Sequence, residues 1–243
     1  MSDGLGAARE RLRGLLGEFF AGPEAVAAAV VARRRAVLDA GGTYGPADLA
    51  GVKPLMIECL DTRPEADGLG LLAAPGLLPD RDRHIEWWQR GATGYVPLRL
   101  NLDPDSVDVY DYFAIDWYVA ARDGGRRMVF GPYVDYSGAD RYICTCTVPV
   151  RDGDRFLGVA GIDLRMDGLE PRLLGALRGT GGDTVLVGRE RRVVAANCSR
   201  WLVGSRLPRT PRAGDGTFAA ALEVGLDSEW TLALAAPREG LDE

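Results

Sequence analysis

The feature that most constrains the fold is a pair of strand-like segments, residues 141–150 and 155–164, that flank the four residues Arg-Asp-Gly-Asp. Aspartate and glycine between two apolar runs are a strong short-range signal for a β-hairpin. A third strand candidate, residues 127–135, precedes this pair. The sequence therefore predicts an antiparallel sheet in the middle of the chain.

The first forty residues follow a helical pattern instead. Alanine and leucine dominate residues 5–40, and large apolar side chains recur at helical spacing at Leu12, Leu15, Leu16, Phe19 and Phe20. Gly22 and Pro23 interrupt this pattern, and proline suits the first turn of a new helix. The sequence therefore predicts two successive helices, the second running over residues 24–40.

Short helices and strands alternate along the rest of the chain. Residues 46–60 predict a helix that Pro54 kinks or breaks, and residues 102–121 predict a helix with Asp103 at its N-cap. Further patterns predict a helix over 167–178 and strands within 68–78, 83–91, 184–188, 192–197, 216–224 and 228–237. This order predicts an α+β fold with a long helical start, a larger β-rich module, a helical connector and a smaller β-rich module.

The composition argues against several classes of partner. A net charge of −6 gives no electrostatic basis for nucleic-acid binding. The most apolar N-terminal run is about nine residues long, short of the roughly 20 that cross a bilayer. Charged residues interrupt the start of the chain, so no signal peptide is indicated. We therefore expect a cytoplasmic protein that contacts neither nucleic acid nor membrane.

The cysteines and the single histidine make a poor metal site. Without a secretory signal, we expect the thiols to be reduced and buried, at Cys59, Cys144, Cys146 and Cys198. A structural zinc ion takes about four ligands, and His84 is the one histidine in the sequence. No glycine-rich phosphate loop is present either. The sequence predicts neither a metal nor a cofactor.

One strand places a carboxylate among apolar neighbours. By alternation, Leu157, Val159, Gly161 and Asp163 share one face of the strand 155–164. A buried carboxylate without a partner costs several kcal/mol or becomes neutral. Backbone N–H groups or an arginine would satisfy Asp163, and so would a cationic ligand.

Aromatic residues and a second carboxylate extend this constellation. Tyr133 and Asp135 are two residues apart on one strand face, and the pairs Trp117-Tyr118 and Trp87-Trp88 add further rings. Rings and carboxylates together suit an ammonium group, because each good cation–π contact contributes about 0.5–2 kcal/mol. Each aromatic residue by itself is more typical of core packing than of a binding site.

Four motifs give the chain a resemblance to a known family. It resembles the double Cache (dCache) sensor domains, which have two PAS-like modules and serve as ligand-binding parts of bacterial chemoreceptors and sensor kinases. The motifs are Trp117-Tyr118, Pro132-Tyr133-Val134-Asp135, Thr147-Val148-Pro149-Val150 and Gly158-Val159-Ala160-Gly161-Ile162-Asp163. The resemblance runs from the first helix to about Pro237.

The resemblance implies a domain division and a ligand site. It implies an N-terminal helical region over 1–60, a membrane-distal-type ligand-binding module over 61–166, a connector helix over 167–180 and a smaller proximal-type module over 181–243. The implied pocket residues are Trp117, Tyr118, Tyr133, Asp135 and Asp163, with Tyr110, Trp88 and Glu86 as further candidates.

The sequence departs from the family pattern at one position that affects the expected ligand. Relatives that bind amino acids carry an arginine two residues before the Trp-Tyr pair, and Ile115 stands there in this sequence. An isoleucine cannot clamp a carboxylate. We therefore expect a sensor for an amine or quaternary ammonium ligand. With no receptor transmembrane helix or output domain visible, we also expect a free-standing soluble member of the family.

Other readings stay open at this point. The ligand could be an amino acid or a small carboxylate. The chain could instead be an enzyme that uses Asp135 and Asp163 as paired acids, or a ligand-free interaction domain. The N-terminal helix is a candidate contact for a homodimer or for a separate regulatory protein.

Overall fold

The computed structural model describes residues 2–136 and 141–237 of the chain. The α-helices of the described residues are α1 (Ser2–Asp39), α2 (Pro46–Ala50), α3 (Lys53–Asp61), α4 (Asp116–Gly124) and α5 (Met166–Ala176). The strands are β1 (Ala66–Ala73), β2 (Ile85–Gly91), β3 (Gly94–Pro97), β4 (Met128–Asp135), β5 (Arg141–Asp152), β6 (Arg155–Arg165), β7 (Thr184–Val187), β8 (Val193–Ala196), β9 (Phe218–Glu223) and β10 (Thr231–Ala235).

The strands form two antiparallel sheets. The larger sheet has the order β3-β2-β1-β6-β5-β4, and the smaller one has the order β8-β7-β10-β9. The hairpin of β5 and β6 is paired from Ile143 and Arg165 down to Asp152 and Arg155. The predicted α+β fold with a long N-terminal helix and two antiparallel sheets is therefore confirmed. The predicted outer boundaries at Met1 and Glu243 lie outside the described residues.

The first helix passes through Gly22 and Pro23 without ending, so the prediction of two helices was wrong. The reason is packing, because large apolar residues are fully buried on both sides of the proline, at Leu16, Phe19, Phe20, Val26 and Val30. Gly22 is itself buried, and a Cβ there would lie 3.7 Å from the side chain of Leu69 in β1. Burial on the larger sheet thus offsets the local cost of proline, about 3 kcal/mol in a helix interior.

The same helix meets the length and composition of a membrane-crossing segment. Residues Asp3–Asp39 have a mean hydropathy of 1.5 over their most apolar 18 residues. A core helix and a signal sequence both pass this test, and in the fold the apolar side of α1 lies against the two sheets. The localisation and the homodimer contact both stay predictions.

Two further helical predictions need correction. Residues 46–60 form two helices, α2 and α3, and Pro54 lies in the first turn of α3. Residues 102–111 are not helical: Asp103 accepts a hydrogen bond from the backbone N–H of Asp105, 3.0 Å away. Such local side-chain bonds compete with helix formation. The helix α4 begins only at Asp116.

The two faces of the larger sheet have different coverings. One face packs on α1 and forms the main apolar core. The other face carries a second apolar cluster, to which α4 and the segment before it contribute Tyr112, Trp117 and Tyr118. This second face holds the cavity described below.

Because α1 packs on the two sheets, a buried and an exposed leucine on this helix should contribute very differently to the free energy of unfolding. Leu16 is fully buried, whereas Leu38 is 43% exposed. We expect Leu16→Ala to lower the free energy of unfolding by about 2–5 kcal/mol and Leu38→Ala to change it by less than about 0.5 kcal/mol. Urea unfolding followed by circular dichroism measures both. Equal, small effects would show that α1 does not pack on the sheets.

Candidate functional site

The second face of the larger sheet encloses a cavity. The space open to the centres of water-sized groups is about 50 Å³. Twelve described residues line it, and none of them is basic: Leu72, Ile85, Trp87, Leu98, Leu100, Tyr110, Trp117, Tyr133, Asp135, Thr145, Thr147 and Asp163. The cavity thus combines two carboxyl groups with aromatic rings and aliphatic side chains.

Two glycines lie between Trp87 and Thr147 in the strand pairing of the larger sheet. In the strand pairing, Trp87 lies opposite Gly70, Gly70 opposite Gly161, and Gly161 opposite Thr147. A Cβ on Gly161 would lie 3.3 Å from Thr147 Cγ2 and 3.4 Å from Trp87 Cη2. The absence of a side chain at Gly161, and at Gly68, where a Cβ would collide with Trp87 Nε1, therefore lets the indole ring lie across the sheet.

The polar end of the cavity is a chain of hydrogen bonds. The Tyr133 hydroxyl lies 2.9 Å from Thr145 Oγ1, and Thr145 Oγ1 donates to Asp163 Oδ1 over 2.6 Å. Because Thr145 gives its only proton to the carboxylate, Tyr133 must donate to Thr145. Asp135 lies two residues after Tyr133 on β4 and faces the same cavity.

Burial changes the ionisation of this end. Loss of solvation is the main reason why the pKa of Asp163 is raised to about 7. The hydrogen bond from Thr145 opposes this rise, and the charges of Asp135 and Asp67 contribute to it. Burial likewise raises the pKa of Tyr133 and of Tyr110, and nearby carboxylates add to both effects. Near neutral pH the site therefore disfavours the ionised form of Asp163.

Five of the eight predicted site residues line the cavity. They come from four parts of the chain, namely the segment before α4, α4 itself, β4 and β6: Tyr110, Trp117, Tyr133, Asp135 and Asp163. Alternation along β4 puts Tyr133 and Asp135 on one face, as the sequence predicts.

Tyr118 lies outside the cavity. Neighbouring residues on a helix point about 100° apart, so Trp117 and Tyr118 cannot both face one pocket. The Tyr118 ring is buried edge-on against Tyr112 and Phe156, with centroids 5.4 and 5.5 Å away. Its role is in the second apolar cluster. Ile115, which precedes α4, also packs on that cluster and is not among the described lining residues.

Trp88 and Glu86 also lie outside the cavity, because successive strand residues point to opposite faces of a sheet. The Trp88 indole N–H donates to Glu86 Oε1 over 2.8 Å, and the Lys53 ammonium lies 3.5 Å from the centre of a Trp88 ring. Glu86 also lies 3.6 Å from His84 Nε2. Trp87 faces the cavity in place of Trp88.

A second face assignment from the sequence was wrong. Leu157 belongs to the core against α1, whereas Val159 belongs to the cluster on the cavity side. The alternation breaks at Gly158, which has a φ of +142° beside a register shift in the pairing of β5 and β6. Asp163 nevertheless keeps its predicted place among cavity-facing residues, because it lies beyond the irregularity.

The threonines of β5 were missed as site residues. Thr145 and Thr147 face the cavity, and their neighbours Cys144 and Cys146 face the core against α1. Strict alternation over this run was the available signal. Cys59 and Cys198 are only half-buried, contrary to expectation, and all four thiols are free. Among the described residues, no group of three or more metal-ligating side chains occurs.

Comparisons with known proteins agree with this architecture. Residues 52–171, which include the whole larger sheet, match the family model "Methyl-accepting chemotaxis protein-like, first PDC sensor domain". No curated protein sequence matches the chain. The matched model describes a sensor domain, and its residues are about half of the chain.

Solved structures share the fold over nearly the whole chain. "Methyl-accepting Chemotaxis protein X" has a TM-score of 0.66 and 16% identity, with 98% of this chain and 96% of that chain covered. The ligand-binding domain of the Campylobacter jejuni chemoreceptor Tlp3 with L-valine has a TM-score of 0.63 and 15% identity, covering 96% and 90%. The extracellular domain of the putative histidine kinase soHK1S-Z6 has a TM-score of 0.58 and 16% identity, covering 95% and 90%.

The raised pKa of Asp163 gives a prediction for the ligand-free protein. A carboxyl group whose pKa is higher in the folded state makes folding less favourable as pH rises from about 4 to about 7, by roughly 4 kcal/mol at most. Asp163→Asn keeps the acceptor for Thr145 and has no charge. We expect its melting temperature to match that of the parent at about pH 3.5, where the carboxyl group is protonated in both the folded and the unfolded state, and to exceed it increasingly up to about pH 8.

The matched control is Glu58→Gln, on an exposed position of α3. It removes the same charge far from the cavity and should leave the pH dependence unchanged. A melting temperature for Asp163→Asn that falls below that of the parent at pH 8 would contradict the assigned environment.

Proposed function

Because residues 52–171 match a PDC sensor domain and the chain has the fold of two-module sensor domains, we propose that it binds a small ligand carrying an ammonium group. Asp135 and Asp163 balance the positive charge, and the rings of Trp87, Trp117 and Tyr110 enclose it. The observation that carries the proposal is the cavity charge: two carboxyl groups and no basic side chain among the described lining residues.

The electrostatics favour a cation over any other ligand class. Asp163 reaches its charged form only against the cost of burial and of two neighbouring carboxylates. A bound ammonium reverses this cost, since an opposite charge within about 4–6 Å favours ionisation. An anion would meet the same two carboxylates without a balancing arginine or lysine among the described lining residues.

The volume of the cavity limits the ligand. One water-sized group needs about 10–15 Å³ of such space, so 50 Å³ holds roughly three to five non-hydrogen atoms without movement of side chains. The aliphatic end, at Leu72, Ile85, Leu98 and Leu100, suits a short alkyl group. A small amine with three to five heavy atoms fits both the size and the lining.

An amino acid is the second candidate, and the comparisons favour it. Tlp3 domains were solved with L-valine, L-norvaline and isoleucine, each at 15% identity to this chain. An amino acid shares the ammonium group that Asp135 and Asp163 would bind. It also brings a carboxylate, and no described lining residue is a basic partner for it. The two candidates therefore differ in one chemical group.

A matched ligand pair separates the two candidates. Isobutylamine is L-valine without its carboxylate. We expect isobutylamine to bind at least ten times more tightly than L-valine at pH 8, measured by calorimetry and thermal shift. Binding of L-valine alone would establish the amino-acid reading instead. If neither compound nor a wider panel of amines and amino acids binds, the ligand-free interaction domain is the better description.

The same titrations on Asp163→Asn and Asp135→Asn test the assigned roles. Each should lower the affinity for isobutylamine by at least tenfold, because each removes one of two counter-charges. Glu58→Gln, which lies on α3, should bind as the parent does. Unchanged affinity in both aspartate variants would move the binding site away from this cavity.

The pH dependence of binding gives a separate prediction. Tetramethylammonium has a fixed charge, so only the protein titrates. Since the cation binds the ionised form of Asp163, whose pKa is about 7, affinity should rise about tenfold per pH unit below 7 and level off above it. Calorimetry between pH 5.5 and 8.5 measures this slope. A flat profile in the parent protein would remove Asp163 from the charge balance.

A further inference from the structure

Thr147 has a buried hydroxyl group without a partner. The residue is 2% exposed and lines the cavity, and its Oγ1 has no hydrogen-bond partner among the described protein groups. Leaving such a group unpaired costs about 1–3 kcal/mol. A valine would fill the same volume without this cost, so the hydroxyl is best explained by a contact that the protein alone does not supply.

The neighbouring threonine differs in this respect. Thr145 is two residues away on β5 and faces the same cavity, but its hydroxyl accepts from Tyr133 and donates to Asp163. The Thr145 hydroxyl therefore already has both a donor and an acceptor partner at the polar end of the cavity. Residues two apart on a strand lie about 6.5–7 Å apart. Thr147 therefore offers a second polar contact one step along the cavity from the carboxylates.

The neighbouring side chains offer no partner to the Thr147 hydroxyl, so the missing contact must come from the cavity. Its methyl group is near Gly161, where a Cβ would lie 3.3 Å from Thr147 Cγ2. The indole of Trp87 covers the other side of the glycine. Neither neighbour has a side-chain oxygen with which the hydroxyl could pair.

We infer that Thr147 binds a ligand oxygen, and that the ligand is an amino alcohol whose hydroxyl and ammonium groups are separated by two or three carbon atoms. This inference rests on the proposed function, since it needs an ammonium held at Asp135 and Asp163. A hydroxyl oxygen is uncharged, so it meets no repulsion from the two carboxylates. Ethanolamine has four non-hydrogen atoms and fits the 50 Å³ of space.

An isosteric pair of ligands tests the inference on the full chain. Ethanolamine and propylamine have the same length and charge and differ only in a terminal hydroxyl or methyl group. We expect the parent protein to bind ethanolamine at least ten times more tightly at pH 8, which is about 1.4 kcal/mol. In Thr147→Val, which keeps the shape of the side chain, the two ligands should bind with equal affinity.

Two controls distinguish ligand recognition by Thr147 from a structural role of its hydroxyl group. Thr231→Val on β10 of the smaller sheet should retain the tenfold preference. The melting temperature of ligand-free Thr147→Val should equal or exceed that of the parent, because the variant loses an unpaired hydroxyl. A lowered melting temperature would instead assign the hydroxyl a structural role and overturn the inference.

The failure of this inference is distinguishable from failure of the proposed function. If both amines bind the parent equally, or if Thr147→Val keeps the preference, Thr147 does not select an oxygen, while the ammonium site stands. If the melting transition shows a folded protein and neither amine binds it, the proposed ammonium site is wrong. The inference about Thr147 is then wrong as well.

Discussion

The carboxyl group of Asp163 is the constraint on which the cavity depends. It lies on β6, between β1 and β5, and faces a space lined by rings and aliphatic side chains. Thr145 supplies a hydrogen bond, yet burial still raises the pKa to about 7. A sheet interior that keeps a carboxyl group in this state is less stable than an apolar one would be.

The two faces of one strand contribute to the core and to the cavity. On β5, Cys144 and Cys146 pack in the core under α1, whereas Thr145 and Thr147 face the cavity. Because successive strand residues alternate in direction, this division needs no extra element. Gly68 and Gly161 leave room for the indole of Trp87 to lie across the sheet. The core and the cavity therefore share the backbone of β5, which α1 covers on the core side.

The strand period accounts for both the successes and the errors in locating the site. Tyr133 and Asp135 are two residues apart and share a face, so sequence reasoning places them together correctly. Adjacent aromatic residues are a different case, since only one of Trp87 and Trp88 can face the cavity. Likewise, helical geometry sends Tyr118 into the core beside Trp117. The family resemblance identifies the motifs, but the backbone geometry decides which residue of each adjacent aromatic pair faces the cavity.

The sequence by itself determined the β5–β6 hairpin, the α+β order and the place of Asp163 on its strand, because these follow from local patterns of two to four residues. Only the tertiary structure decided that α1 continues through Pro23, since burial of Phe19, Phe20 and Val26 outweighs the local cost of proline. It also decided the charge balance of the cavity. The pKa of a carboxyl group depends on solvation and on charges from distant parts of the chain, and no local pattern contains them.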